Sequence, residues 1–193
     1  MSYDIYLKDQ ASGDTIQLDT PHIMTGGIYA AIYDEDRNAF YKKPITDAWL
    51  NITYNYSRYY YEAAEADERF FAMNEHRELV NIGIRAIYGK SGAESIPMLN
   101  DMINRIKFKY QSDGNWIINP RKRIRYYDKD GKEIDIYDAI INHIGYQKRE
   151  VVEDVYEGTN DDYWAETAGN AIRPLYQLLA FAKLRPDGIW DGD

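Results

Sequence analysis

The clearest pattern of apolar and polar positions lies in residues 83–106. Ser91 and Glu94 have the spacing of a capping box, in which two side chains satisfy the first free amides of a helix. Beyond them, apolar residues recur at helical spacing, at Ile96, Leu99, Met102, Ile103 and Ile106. This period predicts a helix with one buried face.

A second amphipathic helix is predicted after Thr167, which has the chemistry of an N-cap. Its apolar face contains Ile172, Leu175, Leu178, Leu179 and Ala182. Pro174 is expected to interrupt this helix, and Pro97 is expected to kink the first one or delay its regular start, because proline lacks a backbone donor. Leu99 and Leu178 are therefore predicted core residues.

Alternation with a period of two predicts four strands in the first quarter of the chain, over 3–8, 15–19, 28–33 and 49–54. The first two are expected to form a hairpin across the turn residues 9–14. Pro21 is expected to end the second strand, and the polar stretch 34–47 is predicted to be a loop. Two further helices are predicted, one capped by Ser57 and running toward Phe71, and one starting at Asn74 and running to Tyr88.

Residues 111–137 change in character and are predicted to carry an added hairpin. An Asp-Gly turn at Gly131 separates two short segments, which indicates a hairpin over 121–127 and 133–137. A short helix is expected over 138–144, and 150–162 is expected to be acidic and exposed. The fold predicted for residues 1–193 is a single α+β domain, with an antiparallel sheet, helices packed on one face and an inserted β-hairpin.

Composition narrows the classes of function. The chain has 193 residues, a net charge of −9 and no cysteine, which excludes thiolate chemistry. The negative charge opposes binding to nucleic acid, since phosphates repel it. No apolar run has the length of a membrane span, and the start lacks the pattern of a signal peptide, so a cytoplasmic location is expected. The 19 tyrosines suit half-buried strands and binding surfaces alike, and a homodimer is expected.

Motifs for catalysis or metal binding are weak. Gly89-Lys90-Ser91 is similar to the end of a phosphate-binding loop, but Gly83 lies too far upstream for that pattern. A helix start beside a lysine could still attract an anion, or could be a plain helix cap. His22, His76 and His143 are widely separated in the sequence. No catalytic residue, metal or cofactor is predicted.

The basic cluster Arg121–Arg125 has two interpretations. On a strand, its arginines could meet a phosphate backbone or an acidic partner. They could equally be the charges that protect an edge strand.

One candidate ligand site combines aromatic and cationic residues from separate segments. Its stacking faces are predicted to be Tyr54, Tyr56 and Trp164, because rings beside arginine and amide groups are typical of base-stacking pockets. Its anion-binding groups are predicted to be Arg85, Lys90 and the amides after Ser91. The alternative is that the same rings close the hydrophobic core.

Five segments together resemble a family of small uncharacterised proteins from phages and prophages. They are DIYLKD near the start, LNITYNY at 50–56, GIRAIYGKSGAESIPML at 83–99, DDYW at 161–164 and RPDGIWDGD at the end. The resemblance covers about half of the chain and brings no catalytic residues with it. It implies that 34–47 and 107–160 are additions relative to shorter members of the family, so 107–160 is predicted to be an insertion that carries the hairpin and a short helix. The resemblance also implies an accessory phage gene expressed in a bacterial cytoplasm, and such genes often encode inhibitors of host processes or proteins that sequester signalling molecules.

The favoured hypothesis is therefore a non-catalytic binding protein, a counter-defence factor that holds a small anionic, nucleotide-type ligand or a host protein. The alternatives are a hydrolase or nucleotide-processing enzyme that uses unidentified carboxylates, and an acidic mimic of nucleic acid. The dispersed charge and the basic cluster weaken the last of these.

Overall fold

The protein is described by a computed structural model over residues 1–27, 31–35, 38–142 and 145–193. The chain forms two compact units, one of Met1–Trp116 with Gly158–Asp193 and one of Ile117–Glu157. Helices and antiparallel sheets occur together, which confirms the predicted α+β class. Within the described residues, no helix combines the length and the apolar character that crossing a membrane requires.

The first unit contains most of the elements. Its strands are β1 (Ser2–Lys8), β2 (Gln17–His22), β3 (Ala31–Asp34), β4 (Ala39–Lys42), β5 (Ile45–Asp47), β6 (Trp49–Thr53), β7 (Phe71–Met73), β8 (Leu79–Asn81), β9 (Gln111–Ser112) and β10 (Asn115–Trp116). Its helices are α1 (Ser57–Ala64) and α2 (Gly92–Tyr110), with 3-10 turns at Tyr54–Tyr56, Glu68–Phe70 and Gly83–Ile87. After the second unit, helix α4 (Ala168–Leu184) and strand β14 (Ile189–Gly192) complete it.

A three-stranded antiparallel sheet with the order β14-β1-β6 organises the first unit. In β1, Tyr3, Ile5 and Leu7 are buried while the residues between them are half-buried, so the predicted alternation is confirmed. Tyr6 points to the other face, where its backbone lies opposite Asp191 of β14 and Trp49 of β6. The sheet therefore has a core face and an outer face that carries aromatic and acidic groups.

Helices α2 and α4 pack against each other, and both start at the predicted caps. Leu99 and Leu178 are 1% and 0% exposed, which confirms them as core residues. The first turn of α2 approaches the end of α4 closely, because a Cβ on Gly92 would lie 2.5 Å from the carbonyl oxygen of Arg185. Only glycine fits at that contact.

The interruption expected at Pro174 does not occur, since α4 is continuous through it. The pyrrolidine ring is buried and lies against Gly26, where an added Cβ would be 2.9 Å from its Cγ. Burial of the ring compensates for the lost backbone hydrogen bond. Helix α2 likewise begins at Gly92, ahead of Pro97, and continues through it.

The strands near the N-terminus pair differently from the prediction. The bridge across the turn 9–14 joins Lys8 of β1 to Thr15, which lies before β2, whereas β2 itself pairs with β5. Strand β2 also continues past Pro21, because a two-stranded ribbon has an outer edge that needs no donor. The predicted loop 34–47 contains β4 and β5, so that prediction was wrong. Strand β3 covers the end of the strand predicted at 28–33, and residues 28–30 lie outside the described residues.

The helix predicted from Asn74 is replaced by the hairpin of β7 and β8. The Asn74 side chain accepts hydrogen bonds from the amides of His76 and Glu78, both at 2.9 Å, and so stabilises a turn that competes with a helix. Helix α1 ends at Ala64, earlier than predicted. Ser57 does not cap it, because its hydroxyl bonds to that of Tyr3 at 2.7 Å.

The second unit is an antiparallel sheet with one short helix. It contains β11 (Ile118–Tyr127), β12 (Glu133–Ile134), α3 (Ile136–Asn142) and β13 (Gln147–Tyr156), with the sheet order β12-β11-β13. The Asp-Gly turn forms as predicted, but β12 is only two residues long. The main partner of β11 is β13. Residues 150–156, predicted to be acidic and exposed, therefore lie in a strand whose residues alternate between exposed and half-buried.

The boundaries of the second unit lie inside the predicted insertion 107–160. Residues 107–116 belong to the first unit, because α2 continues to Tyr110 and the β9–β10 hairpin follows it. The end of the helix predicted over 138–144 falls on residues 143–144, which lie outside the described residues. The two ends of the second unit meet where the Glu157 amide donates to the Ile117 carbonyl at 3.0 Å.

Candidate functional site

Two of the predicted site residues, Tyr54 and Arg85, are in direct contact. Tyr54 begins the 3-10 turn that follows β6, and Arg85 lies in the 3-10 turn before α2. The Nη2 atom of Arg85 donates to the Tyr54 hydroxyl at 2.8 Å, and its Nε atom donates to the main-chain oxygen of Asp193 at 3.1 Å. These contacts fix the plane of the guanidinium group.

Tyrosine rings surround this cation. The Arg85 guanidinium carbon lies 4.9 Å from the ring centroid of Tyr3 and 5.6 Å from that of Tyr54. The two rings meet edge to face with centroids 4.4 Å apart. Such cation–π contacts stabilise a charge without neutralising it. Within the described part of the chain, Arg85 makes no ion pair with an Asp or Glu side chain, and its Nη1 atom has no protein partner.

Burial affects the ionisation of the groups around Arg85. It opposes the charge of Arg85, but the neighbouring tyrosines outweigh this effect and raise the pKa of the guanidinium. Desolvation raises the pKa of Tyr3 to about 12, although the hydrogen bond with Ser57 acts in the opposite direction. Desolvation also raises the pKa of Tyr88. At neutral pH, Tyr3 and Tyr88 are therefore neutral phenols beside the Arg85 cation. We call Tyr3, Tyr54, Arg85 and Tyr88 the Arg85 cluster.

Tyr56 does not present a stacking face. It is fully buried, and its hydroxyl donates to the main-chain oxygen of Tyr163. The predicted role of Tyr56 in ligand stacking does not fit this position, because both faces of its ring are within the core. The sequence did not show that Tyr56 is buried while Tyr54 is half-buried. The strand alternation stops at Thr53, and both tyrosines lie in the 3-10 turn that follows.

The amides at the start of α2 are also unavailable. The Ser91 amide and hydroxyl both donate to the Glu94 carboxylate at 2.8 Å, and the Glu94 amide donates to the Ser91 hydroxyl at 3.2 Å. The Gly92 and Ala93 amides bond to the carbonyls of Gly188 and Pro186. The chain's own Glu94 carboxylate thus fills the position predicted for an anion. These bonds lower the pKa of Glu94, and Ser91 is a helix cap.

Lys90 lies beside this cap, and its positive charge also favours the ionised form of Glu94. Its backbone joins β14, because the Trp190 amide donates to the Lys90 carbonyl at 2.9 Å. The preceding amide, of Gly89, is occupied by the Trp190 carbonyl at 2.8 Å. A phosphate cradle of free amides is therefore not present at Gly89-Lys90-Ser91.

Trp164 is 45% exposed, so its ring is accessible to a ligand. Its ring lies against that of Tyr163, with centroids 4.6 Å apart. The side chain of Asn55 donates to the Trp164 carbonyl at 2.8 Å, which ties this loop to the turn that carries Tyr54. The structure thus places Trp164 on a segment held next to the Tyr54 turn. Tyr54, Arg85, Lys90 and Trp164 remain the predicted residues with accessible side chains.

A second aromatic feature was missed by the sequence analysis. On the outer face of the sheet, Tyr6 and Trp49 lie nearly parallel at 14°, with centroids 6.0 Å apart. Together with Thr15 and Asp47 they line an open cleft of about 260 Å³. The alternation of β1 was the signal that could have found it, since Tyr6 had to face away from the core.

Histidines and carboxylates form no evident catalytic centre in the described ranges. No group of three metal-ligating side chains occurs there. His22 bonds through Nε2 to the Asp47 carbonyl at 2.8 Å, and His76 is exposed beside Glu75. His143 lies outside the described residues.

Comparison of this chain with protein-family models, with curated proteins and with solved structures gives no match. The resemblance to phage proteins therefore stays a prediction.

Proposed function

We propose that this chain is a non-catalytic binding protein whose ligand is a small anion of nucleotide type. The observation that supports this most directly is the state of Arg85. Its guanidinium is oriented by two hydrogen bonds and flanked by tyrosine rings, and it makes no ion pair with an Asp or Glu side chain within the described residues. An arginine that is held in one orientation and still has unused N–H donors is suited to binding a phosphate or carboxylate group.

The surroundings of Arg85 favour an anion that carries an aromatic ring. The Tyr54 hydroxyl accepts from Arg85, so its own proton is free to donate to a ligand oxygen. Trp164 supplies an exposed indole on a loop tied to the Tyr54 turn by Asn55. Stacking on such a ring is tolerant of base identity, which agrees with a nucleotide or a cyclic nucleotide as the ligand.

The biological setting that fits this chemistry is the one implied by the resemblance to phage proteins. In a bacterial cytoplasm, an accessory phage protein with this site would sequester a nucleotide signal of a host defence system. A host protein that presents a carboxylate or phosphate to Arg85 is the other partner of the same chemistry. Titration of the purified chain with a free nucleotide distinguishes the two possibilities, since only the first requires the nucleotide to bind on its own.

Calorimetric titration of the purified chain with mononucleotides, cyclic dinucleotides and inorganic phosphate tests the proposal. Charge-assisted hydrogen bonds contribute about 1.5–3 kcal/mol, so Arg85→Ala should raise Kd at least tenfold. Arg85→Lys should restore part of the affinity, because it keeps the charge but loses the planar donors. A matched control is Arg77→Asn, which removes one exposed charge at the β7–β8 turn and keeps a residue that tolerates its positive φ of 61°.

Three outcomes would contradict the proposal. The first is that no nucleotide binds at micromolar concentration. The second is that Arg85→Ala and Arg77→Asn bind equally well while both melt like the wild type. The third is that chromatography shows the ligand to be consumed, which would favour the nucleotide-processing alternative.

A further inference from the structure

The outer edge of β13 is a regular, unpaired strand edge. In the described part of the chain, the sheet of the second unit ends at β13, and no other strand bonds to its far side. Strand β13 has ten residues, and all ten pair with β11 without a register shift. It contains neither proline nor glycine. Long regular edges of this kind are templates for pairing with another chain, and proteins usually disrupt them.

The hydrogen-bond pattern shows which groups this edge presents. The Glu157 amide bonds to the Ile117 carbonyl, so these two residues form a hydrogen-bonded pair next to the ladder. Such pairs alternate along an antiparallel ladder. The odd residues of β13 therefore direct their backbone groups to β11. The even residues direct theirs to the free edge: Lys148, Glu150, Val152, Asp154 and Tyr156. All five of these residues are exposed.

Charge along the edge is arranged so that the strand complements itself. The strand is basic at its start, with Lys148 and Arg149, and acidic near its end, with Glu153 and Asp154. When two copies pair antiparallel about Val151, Lys148 lies opposite Asp154 of the second copy. In the same register Arg149 lies opposite Glu153 of the second copy, and Glu150 lies opposite Val152. Opposite charges in cross-strand positions are stabilising.

Neighbouring registers lack this complementarity. Only registers that pair even residues with even residues are possible, because only those residues direct backbone groups outward. Centring the pair on Glu150 would place that carboxylate opposite itself. Centring it on Val152 would place Glu150 opposite Asp154 of the second copy. Like charges in cross-strand positions are destabilising, so the sequence selects the register centred on Val151.

We propose that β13 is a dimerisation edge, and that two copies of this chain join their three-stranded sheets into one six-stranded antiparallel sheet through a two-fold axis at Val151. The interface is isologous, as in the commonest class of homo-oligomer. The partner is a second copy of this chain, because the charges along β13 complement those of a second, antiparallel β13. The proposal does not depend on the Arg85 cluster or its ligand.

A charge-swap experiment tests both the interface and its register. Lys148→Glu places two acidic groups opposite each other at both ends of the pair, and Asp154→Lys places two basic groups there. Each variant alone should dissociate, with the dimer Kd raised about tenfold, since two symmetric contacts change from attraction to repulsion. An equimolar mixture of the two variants restores opposite charges at both contacts and should form a heterodimer. Sedimentation velocity on the full chain measures each species against the monomer mass of 22.6 kDa.

The rescue separates this proposal from a loss of folding. Residues 148 and 154 are six positions apart on one strand, roughly 20 Å at ~3.3 Å per residue, so the swapped charges cannot pair within one chain. Lys148→Gln is the matched control, because it removes the Lys148 contacts with the rings of Tyr126 and Tyr146 without adding repulsion. Val152→Pro removes one outward amide and leaves the bonds to β11 intact, and it should also give a monomer.

Several results would overturn the proposal. One is a wild-type chain that sediments as a monomer at 100 micromolar. Another is a dimer that neither Lys148→Glu nor Val152→Pro weakens, which would place the contact elsewhere. A third is a mixture of the two charge variants that stays as monomeric as each variant alone, provided that all variants keep the wild-type melting temperature.

Discussion

The indole nitrogen of Trp190 donates a hydrogen bond to the Ser95 hydroxyl at 2.7 Å, and both residues are buried. The Ser95 hydroxyl in turn donates to the Gly92 carbonyl at 2.8 Å. This chain of bonds joins β14 to the first turn of α2. It explains how the core accepts a tryptophan, since a buried indole needs a partner for its N–H.

Replacement of Ser95 by alanine should destabilise the fold. The substitution leaves the Trp190 N–H buried without a partner, which costs about 1–3 kcal/mol, and the better helix propensity of alanine offsets only about 0.5 kcal/mol of this. Urea denaturation measures the loss. Ser112→Ala, at an exposed strand position, is the control. In the background of Trp190→Phe, the Ser95 substitution should cost much less, and equal costs in both backgrounds would show that the hydrogen bond is not the cause.

The helical core gives a second stability prediction. Leu99→Ala and Leu178→Ala should each lower the free energy of unfolding by about 2–5 kcal/mol, because each removes a buried side chain and leaves a cavity in the core. Leu184, at the end of α4, is 64% exposed, and Leu184→Ala should cost less than about 0.5 kcal/mol. Chemical denaturation of the three variants and the wild type measures these differences in the free energy of unfolding. Similar values for Leu99→Ala and Leu184→Ala would mean that the core lies elsewhere.

The parts of the fold that the sequence predicted well are those where local chemistry and packing agree. The Ser91–Glu94 capping box, the apolar face of α2 and the Thr167 cap are all present. The errors occur where a tertiary contact, or a local bond from a side chain to the backbone, overrules the helix pattern. Pro174 stays inside a helix because its ring is buried, and residues 74–78 form a turn because the Asn74 side chain binds two amides.

The candidate site was predictable only in part for a similar reason. Arg85 and Tyr54 were selected by residue type, and the fold brings them into contact. Ser91 could not be excluded from the sequence, because a capping box and an anion site use the same amides. Tyr3 was not selected. The alternation of β1 predicts that its ring is buried, but it does not indicate that the guanidinium group of Arg85 lies over that ring.

The Glu62 carboxylate predicts a dependence of stability on pH. Partial burial alone would raise its pKa, but hydrogen bonds from Arg58, Tyr110 and Lys109 outweigh this and lower the pKa from the ordinary 4.5 to about 2. A carboxylate with a lowered pKa in the folded state stabilises the fold above its unfolded pKa. This contribution should be lost as the pH falls from about 4.5 toward 2.

Glu62→Gln should therefore unfold more easily than the wild type at pH 7 and lose less stability on acidification. The control is Glu65→Gln, at an exposed position just after the same helix. Urea midpoints at pH 7, 4 and 3 measure the difference between the variants. Parallel pH profiles for wild type and Glu62→Gln would show that the Glu62 hydrogen bonds are not coupled to folding.

Excision of the second unit is expected to leave the first unit folded. The Ile117 carbonyl and the Glu157 amide are hydrogen-bonded, so the ends lie close enough for a short Gly-Ser linker to replace 118–156. The deletion is combined with Glu157→Gln, because it removes Arg121, the ion-pair partner of the buried Glu157 carboxylate. The melting temperature should change by no more than about 4 °C, the shift that ~1 kcal/mol produces in a domain of this size. Scanning calorimetry and circular dichroism check this. Loss of the cooperative transition would show that the first unit needs the second in order to fold.

Trp164 and Lys90 give the last prediction, which concerns ligand binding. Trp164 is 45% exposed, so Trp164→Ala should leave the melting temperature nearly unchanged. It should weaken nucleotide binding by about 1–3 kcal/mol, the range measured for a base stacked on an aromatic ring. Trp164→Phe keeps an aromatic face and should recover part of the affinity.

Lys90 is expected to act differently. Its charge lies beside Glu94 and should attract an anion by long-range electrostatics across solvent, without a direct hydrogen bond. Lys90→Ala should therefore weaken binding more at 20 mM than at 500 mM salt, since the Debye length falls from about 20 Å to about 4 Å over this range. Calorimetric titrations at both salt concentrations, run beside thermal melts, separate the two roles. A Trp164→Ala variant that melts far below the wild type and binds nucleotide with unchanged affinity would show that the indole closes the core and takes no part in the site.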